Sequence, residues 1–317
     1  MSTINDNMEL PKTPVCSYSI LAKDKDTEHI GALIVSHYFS VGSIALYAKS
    51  GVGIVITQSF PDDLYGANGL DMMRSGVNAK EALTRLLSKD RHSQYRQVAM
   101  MDASGEIAVH TGKLCVSEAG HEIGDGYAVC ANMMMNKSIW NDMGIAYKTA
   151  SGDLTDRLVS AIDTGNKRSE EVRMGSSAAF IVISAKSSGN ILEDKIFDLR
   201  VDDNSAPLKE LKRLISLNRA YRHRALGDAY LAQNNIEAAL EEYERAKTFV
   251  PNNTEFMFWT AVCLVNAGRI DDAMGLFKQV FERDIKWSLL AVRLARSKLL
   301  PPDPELIQRI ISISTRS

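Results

Sequence analysis

The pattern of apolar residues changes character once along the chain, and that change constrains the fold more than any other feature. From Cys16 to about Asp203, short β-type runs alternate with helical stretches, whereas from Ala206 onward the periodicity is helical throughout. Between them lies the polar stretch Asp202-Asp203-Asn204-Ser205-Ala206-Pro207, whose proline suits the first turn of a helix. With 317 residues the chain is near the practical limit of a single hydrophobic core. Two units are therefore expected, residues 17–205 and 206–317, preceded by a tail or propeptide of residues 1–16.

In the first unit, Ser17 to Ala22 and Ile30 to Ser36 are apolar runs joined by the charged turn Lys23-Asp24-Lys25-Asp26, which predicts a β-hairpin. Ser43 to Ala48 and Val52 to Gln58 form a second pair around Ser50-Gly51, and Gln97 to Asp102 and Glu106 to His110 a third around Ala103-Ser104-Gly105. Further strands are expected at Tyr127 to Asn132, Ala178 to Ser184 and Lys195 to Val201. Helices are expected at Ala67 to Arg74, Ala79 to Leu87, Lys137 to Lys148 and Leu154 to Gly165. Antiparallel strand pairs with grouped helices point to an α+β fold of stacked sheet and helix layers, not a doubly wound parallel sheet. A P-loop is lacking, and Gly51-Val52-Gly53 misses the third glycine of a dinucleotide fingerprint, so no cofactor is expected.

Charge narrows the partners. Against 39 Asp and Glu stand 37 Lys and Arg, a formal net charge of -2, which argues against general binding to nucleic acid. Four cysteines, Cys16, Cys115, Cys130 and Cys263, are widely spaced without a C-x-x-C pair and read as intracellular free thiols. His37, His110 and His121 lack the local spacing of a zinc motif, so no metal is expected. No apolar run is long enough to span a bilayer, and residues 1–15 do not have the pattern of a secretory signal. A cytoplasmic protein without membrane contact is the expectation.

In the second unit, Leu226-Gly227, Tyr230, Ala239, Tyr243, Ala246 and Pro251 fall at the spacings of a tetratricopeptide repeat, whose small residues let two antiparallel helices approach. A shift of 34 residues, the period of that repeat, carries Gly227, Tyr230, Ala239 and Tyr243 onto Ala261, Leu264, Ala273 and Phe277. An all-α helical-repeat domain is expected, with later helices at Ser288 to Leu299 and Pro304 to Ile313. Its apolar residues Phe256, Phe258 and Trp259 suggest packing between helices, a protein partner or a homo-oligomer.

Chemistry is suggested first at Cys16-Ser17-Tyr18-Ser19-Ile20, where a nucleophile opens a strand. An N-terminal serine carries its own base, because an α-amine has a pKa near 8, close to working pH. From Ser17 to Asp203 the chain resembles a family catalogued as domain of unknown function 1028. Ser17-Tyr18-Ser19-Ile20 stands where members open with Thr-Phe-Ser-Ile. Ser36-His37-Tyr38-Phe39-Ser40-Val41-Gly42-Ser43, Thr57-Gln58, Tyr95-Arg96-Gln97, His110-Thr111-Gly112, Ala119-Gly120-His121 and Leu199-Arg200-Val201-Asp202-Asp203 continue the match. The resemblance implies a four-layer αββα sandwich of the N-terminal nucleophile hydrolase kind. It departs in three places: sixteen residues precede Ser17, serine replaces threonine, and Cys130-Ala131-Asn132 stands where Gln-Gly-Asn is common.

The expected activity is hydrolysis of an amide carbon-nitrogen bond in a small substrate or peptide, after cleavage before Ser17. Ser17 is the favoured nucleophile and Cys16 the competing one, freed by a cut after Val15. Asn132 is a candidate oxyanion donor and His110 a candidate catalytic imidazole, whose bland alternative is a strand-end histidine with a structural partner. His37, Thr57, Gln58, Arg96, Thr111 and His121 are candidate substrate contacts, with Arg96 and Arg200 able to bind a carboxylate or to pair with nearby aspartates. The rival reading is a noncatalytic binding or assembly protein built on the same scaffold.

Overall fold

The computed structural model describes residues 13–168 and 176–313; residues 1–12, most of the expected tail, lie outside them. The chain divides into two compact units, residues 1–214 and 215–317. The division falls inside one long helix, a few residues beyond the sequence boundary at 205.

The first unit contains two antiparallel sheets. β1 (Ser17–Lys23), β2 (His29–Ser36), β7 (Gly120–Gly124), β8 (Tyr127–Asn132), β9 (Ser177–Ser184) and β10 (Lys195–Val201) form a six-stranded sheet in the order β10-β9-β2-β1-β8-β7. β3 (Leu46–Lys49), β4 (Gly53–Ser59), β5 (Arg96–Asp102) and β6 (Ile107–Thr111) form a four-stranded meander. The first two expected hairpins thus belong to different sheets. Short helix α1 (Val41–Ile44) takes the start of the expected third strand, and β7 forms where no strand was expected, because Gly120 to Gly124 pairs with the strand that follows it.

Strand alternation builds the core. Leu21, Ile30, Ile34, Ala128 and Ile183 of the larger sheet face Ile54, Ile56, Ala99 and Met101 of the smaller. On the smaller sheet's other face, Val55, Val98 and Met100 pack on α2 (Asp63–Arg74) and α3 (Ala79–Lys89). α4 (Ile139–Thr149) and α5 (Leu154–Arg168) pack on β8, β1 and β2 of the larger sheet. Helix α2 begins four residues earlier than its periodicity suggests because the Asp62 side chain caps it, accepting from the Leu64 N–H. Short helix α6 (Ile191–Asp194) leads into β10.

Among the described residues the rest is helical: α7 (Pro207–Ala232), α8 (Ile236–Phe249), α9 (Thr254–Asn266), α10 (Ile270–Arg283), α11 (Lys286–Arg296) and α12 (Pro304–Ser312). Asn234 and Gly268, 34 residues apart, both turn with positive φ between helices. A Cβ on Gly227 would lie 2.6 Å from the Tyr243 ring, so the small residue permits α7 and α8 to approach. Phe258, Phe277, Val280 and Ala291 form the buried centre of this unit.

Candidate active site

The space between the two sheets is not uniformly apolar. At the end where β1 begins, one register row crosses four strands as Ser177, Ser36, Ser17 and Asn132, each paired with the next. Directly paired residues point to the same face, here the one that carries Leu21, Ile34 and Cys130 into the intersheet core. All four side chains are buried. From the smaller sheet, Gln58 and Gln97 enter the same layer, sharing the strand parity of Ile56 and Ala99.

A hydrogen-bond chain joins these groups, and two carbonyls fix its direction. Gln97 Nε2 lies 3.0 Å from the carbonyl oxygens of Gly120 and Ala131, which can only accept, so this end of the amide is the NH2. Gln97 Oε1 therefore accepts from Gln58 Nε2 at 2.7 Å and from Asn132 Nδ2 at 3.1 Å. Gln58 Oε1 in turn accepts from the Ser19 hydroxyl at 2.6 Å. On the other side Thr111 Oγ1 lies 3.0 Å from Gln97 Nε2, a third acceptor around its two N–H groups, and 2.8 Å from His121 Nδ1. Loss of water around the His121 ring, with the neighbouring His110 imidazole adding to it, lowers its pKa from 6.5.

Two buried atoms in this layer have no hydrogen-bond partner: Ser17 Oγ and Asn132 Oδ1. The free group of Asn132 is consequently its acceptor oxygen, since its NH2 is held by Gln97. Next to Ser17, the carbonyl oxygen of Cys16 accepts from Ser36 Oγ at 2.7 Å and from His37 Nδ1 at 3.3 Å.

Alternation separates the two candidate nucleophiles. Ser17 faces the polar layer between the sheets. Cys16 turns the other way, with its thiol against the carbonyls of Asn132 at 3.5 Å and Met133 at 3.7 Å. The chain before Ser17 crosses the mouth of the layer: Val15 forms a bridge to Ser59 at the end of β4, its N–H donating to the Ser59 carbonyl at 2.5 Å. Ser17 is 0% exposed beneath this segment.

Other candidates lie outside the layer. His110 points away from Thr111, and its Nε2 donates to the Ser93 carbonyl at 2.8 Å. Thr57 Oγ1 accepts from the Asp62 N–H on the helix side. Buried Arg96 binds Asp90 at 2.8 Å, Asp62 at 2.9 Å and the Phe60 carbonyl at 2.8 Å. Of the residues read as substrate contacts, Gln58, Thr111 and His121 belong to the network, and His37 sits at its mouth. Arg200 is exposed on a cavity of 680 Å³ beside Leu46, Tyr47 and Ile181, which shares no residue with the polar layer. Among the described residues no three His, Cys, Asp or Glu side chains are grouped to hold a metal ion, and no helix is long and apolar enough to cross a membrane.

Sequence reasoning passed over Ser19, Ser36 and Gln97 as site residues. Their signal was parity: Ser36 and Gln97 occupy inward positions on strands whose other inward residues are apolar, and Ser19 lies between Ser17 and Leu21 on the inward face of β1.

No curated protein matches this chain. A crystal structure of protein SPO2555 from Silicibacter pomeroyi, described as a family model of DUF1028, is similar to it at 25% identity and a TM-score of 0.57, over 63% of this chain and 88% of that one. The model of the family of unknown function (DUF1028) matches residues 17–211. The match opens on Ser17 and takes in every strand described above, and with it the chain belongs to the DUF1028 family.

Proposed function

We propose that this protein is an amide hydrolase of the N-terminal nucleophile type, activated by its own cleavage between Cys16 and Ser17. One observation carries the reading. The carbonyl of that peptide bond is held by two donors, Ser36 Oγ and His37 Nδ1, while the adjoining Ser17 hydroxyl is buried without a partner. Burying an unpaired hydroxyl costs about 1–3 kcal/mol, which a purely structural strand start would avoid. Two facing sheets with helices on their outer faces, and β1 opening at the serine, support the nucleophile-hydrolase fold. The two helix turns 34 residues apart support a tetratricopeptide-like second unit.

In self-cleavage, Ser17 Oγ attacks the Cys16 carbonyl carbon and its proton passes to the Ser17 nitrogen as the C–N bond breaks. Ser36 and His37 stabilise the oxyanion, and water then hydrolyses the ester to a Cys16 carboxylate and a free Ser17 hydroxyl. The freed α-amine becomes the general base toward substrate. Asn132 Oδ1, unpaired in the intact chain, accepts from that amine and orients it, while Ser36 and His37 remain as oxyanion donors.

Intact-mass measurement of purified protein tests this. The expected species lacks residues 1–16 and hydrolyses amides. Ser17→Ala stays whole and inert, and Cys16→Ala still cuts because its thiol faces away. A uniformly full-length, active enzyme would rule the mechanism out. The complete burial of Ser17 under Val15 and Cys16 favours a second reading, a binding or assembly protein in which the uncut chain is the working form. Unchanged cellular function of Ser17→Ala would support it.

A further inference from the structure

The segment that closes the mouth carries information about what the site accepts, given the hydrolase reading above. In a self-cleavage at Ser17 the acyl group is the chain that ends at Cys16, so whatever holds Val15 and Cys16 is the acyl side of the site. Val15 is 1% exposed. Its N–H bonds Ser59 of the four-stranded sheet, while Ser17 begins a strand of the six-stranded one, so a single extended residue pair spans both sheets. Ser59 and Met133, which flank the pair, have φ of 68° and 57°, a left-handed conformation unusual for non-glycine residues. Both turns end their strands next to the segment and aim carbonyl oxygens at it.

Five contacts thus surround the pair, three on its main chain and two on its side chain. The Ser59 carbonyl takes an N–H, Ser36 and His37 take the C=O one residue later, and the Asn132 and Met133 carbonyls lie against a small thiol side chain. We infer that the mouth is a peptidyl subsite and that the substrates are amides whose acyl part is an extended peptide of at least two residues, with a small side chain at the scissile position and an apolar one before it. A simple acyl or single-residue amide lacks the N–H that Ser59 accepts. The intact segment is then a tethered occupant of its own substrate site.

The test separates this subsite from the chemistry. The peptide Thr-Pro-Val-Cys-amide, labelled with fluorescein at its amino end, is titrated by anisotropy against full-length protein carrying Ser17→Ala, which keeps the chain uncut, and against the same protein with Val15→Asp, which expels the segment. Saturable binding only to the opened variant, weakened about tenfold when the valine nitrogen of the peptide is methylated, is the expected result. No binding, or binding indifferent to methylation, overturns the inference. Circular dichroism verifies folding, and Val15→Gly replaces Val15→Asp if the charge prevents it. In parallel, cleaved wild-type protein receives the p-nitroanilides of acetyl-Val-Ala and acetyl-Ala, with kcat/KM expected about tenfold higher for the first. Equal rates overturn the inference and leave the hydrolase reading standing. Inert anilides with intact peptide binding discard the hydrolase reading and retain the subsite.

Discussion

Gln97 is the residue on which the polar layer depends, because its amide is the junction of Gln58, Asn132, Thr111 and two carbonyls. Gln97→Leu leaves those groups buried and unpaired and is expected to cost about 3 kcal/mol in chemical denaturation. Gln97→Glu, nearly identical in shape, should be no better, since a carboxylate oxygen would then face the Gly120 and Ala131 carbonyls. The proposed oxyanion donors bear on a rate instead of a stability. Ser36→Ala removes the shorter bond to the Cys16 carbonyl, and self-cleavage followed by mass spectrometry should slow about a hundredfold. An unaltered time course would remove Ser36 from the mechanism.

Between elements, Arg96 is a clamp: it ties the Asp62 cap of α2 to Asp90 at the end of α3. Burial alone would raise the Asp90 carboxyl, but hydrogen bonds from Arg96, the His92 amide and Tyr65 together hold it below its ordinary 3.8. A depressed carboxylate stabilises the fold above that value, and the contribution is lost as pH falls through the lower folded value. Arg96→Met is therefore expected to cost about 3 kcal/mol at pH 7 and to flatten the loss of stability as pH falls below 3.8 in urea titrations. Local signals made most elements legible. Tyr127 to Asn132 and Lys195 to Val201 form strands with those limits, because apolar runs between turn residues leave little choice. What local pattern cannot carry is the partner across the sandwich: the stretch 95–112 suggested Arg96, His110 and Thr111 equally, and only sheet-on-sheet packing sends Thr111 inward and His110 out. β7 escaped for a similar reason, its glycines gaining strand conformation from β8.

For the molecule as a whole, the two units have separate cores, one among the strands and one around Phe258 and Phe277. Phe277→Ala should cost about 3–5 kcal/mol in the helical unit yet leave the rate of cleavage at Ser17 unchanged, read from calorimetry and intact mass on one preparation. The graded interior of the sandwich has a mechanical meaning. Leu21, Ile30, Ile54 and Met101 grip one end, whose rim is also tied by Lys23 Nζ to the Ala103 carbonyl and by the Gly51 N–H to the Ser184 carbonyl, whereas the interior of the serine end is joined by hydrogen bonds that water can replace. If the chain before Ser17 is removed by the proposed cleavage, the sheets should swing apart like a bivalve about the opposite end. Amide hydrogen exchange along β1 should then slow steadily from Ser17 to Leu21, with the hinge recorded in the residues that exchange last.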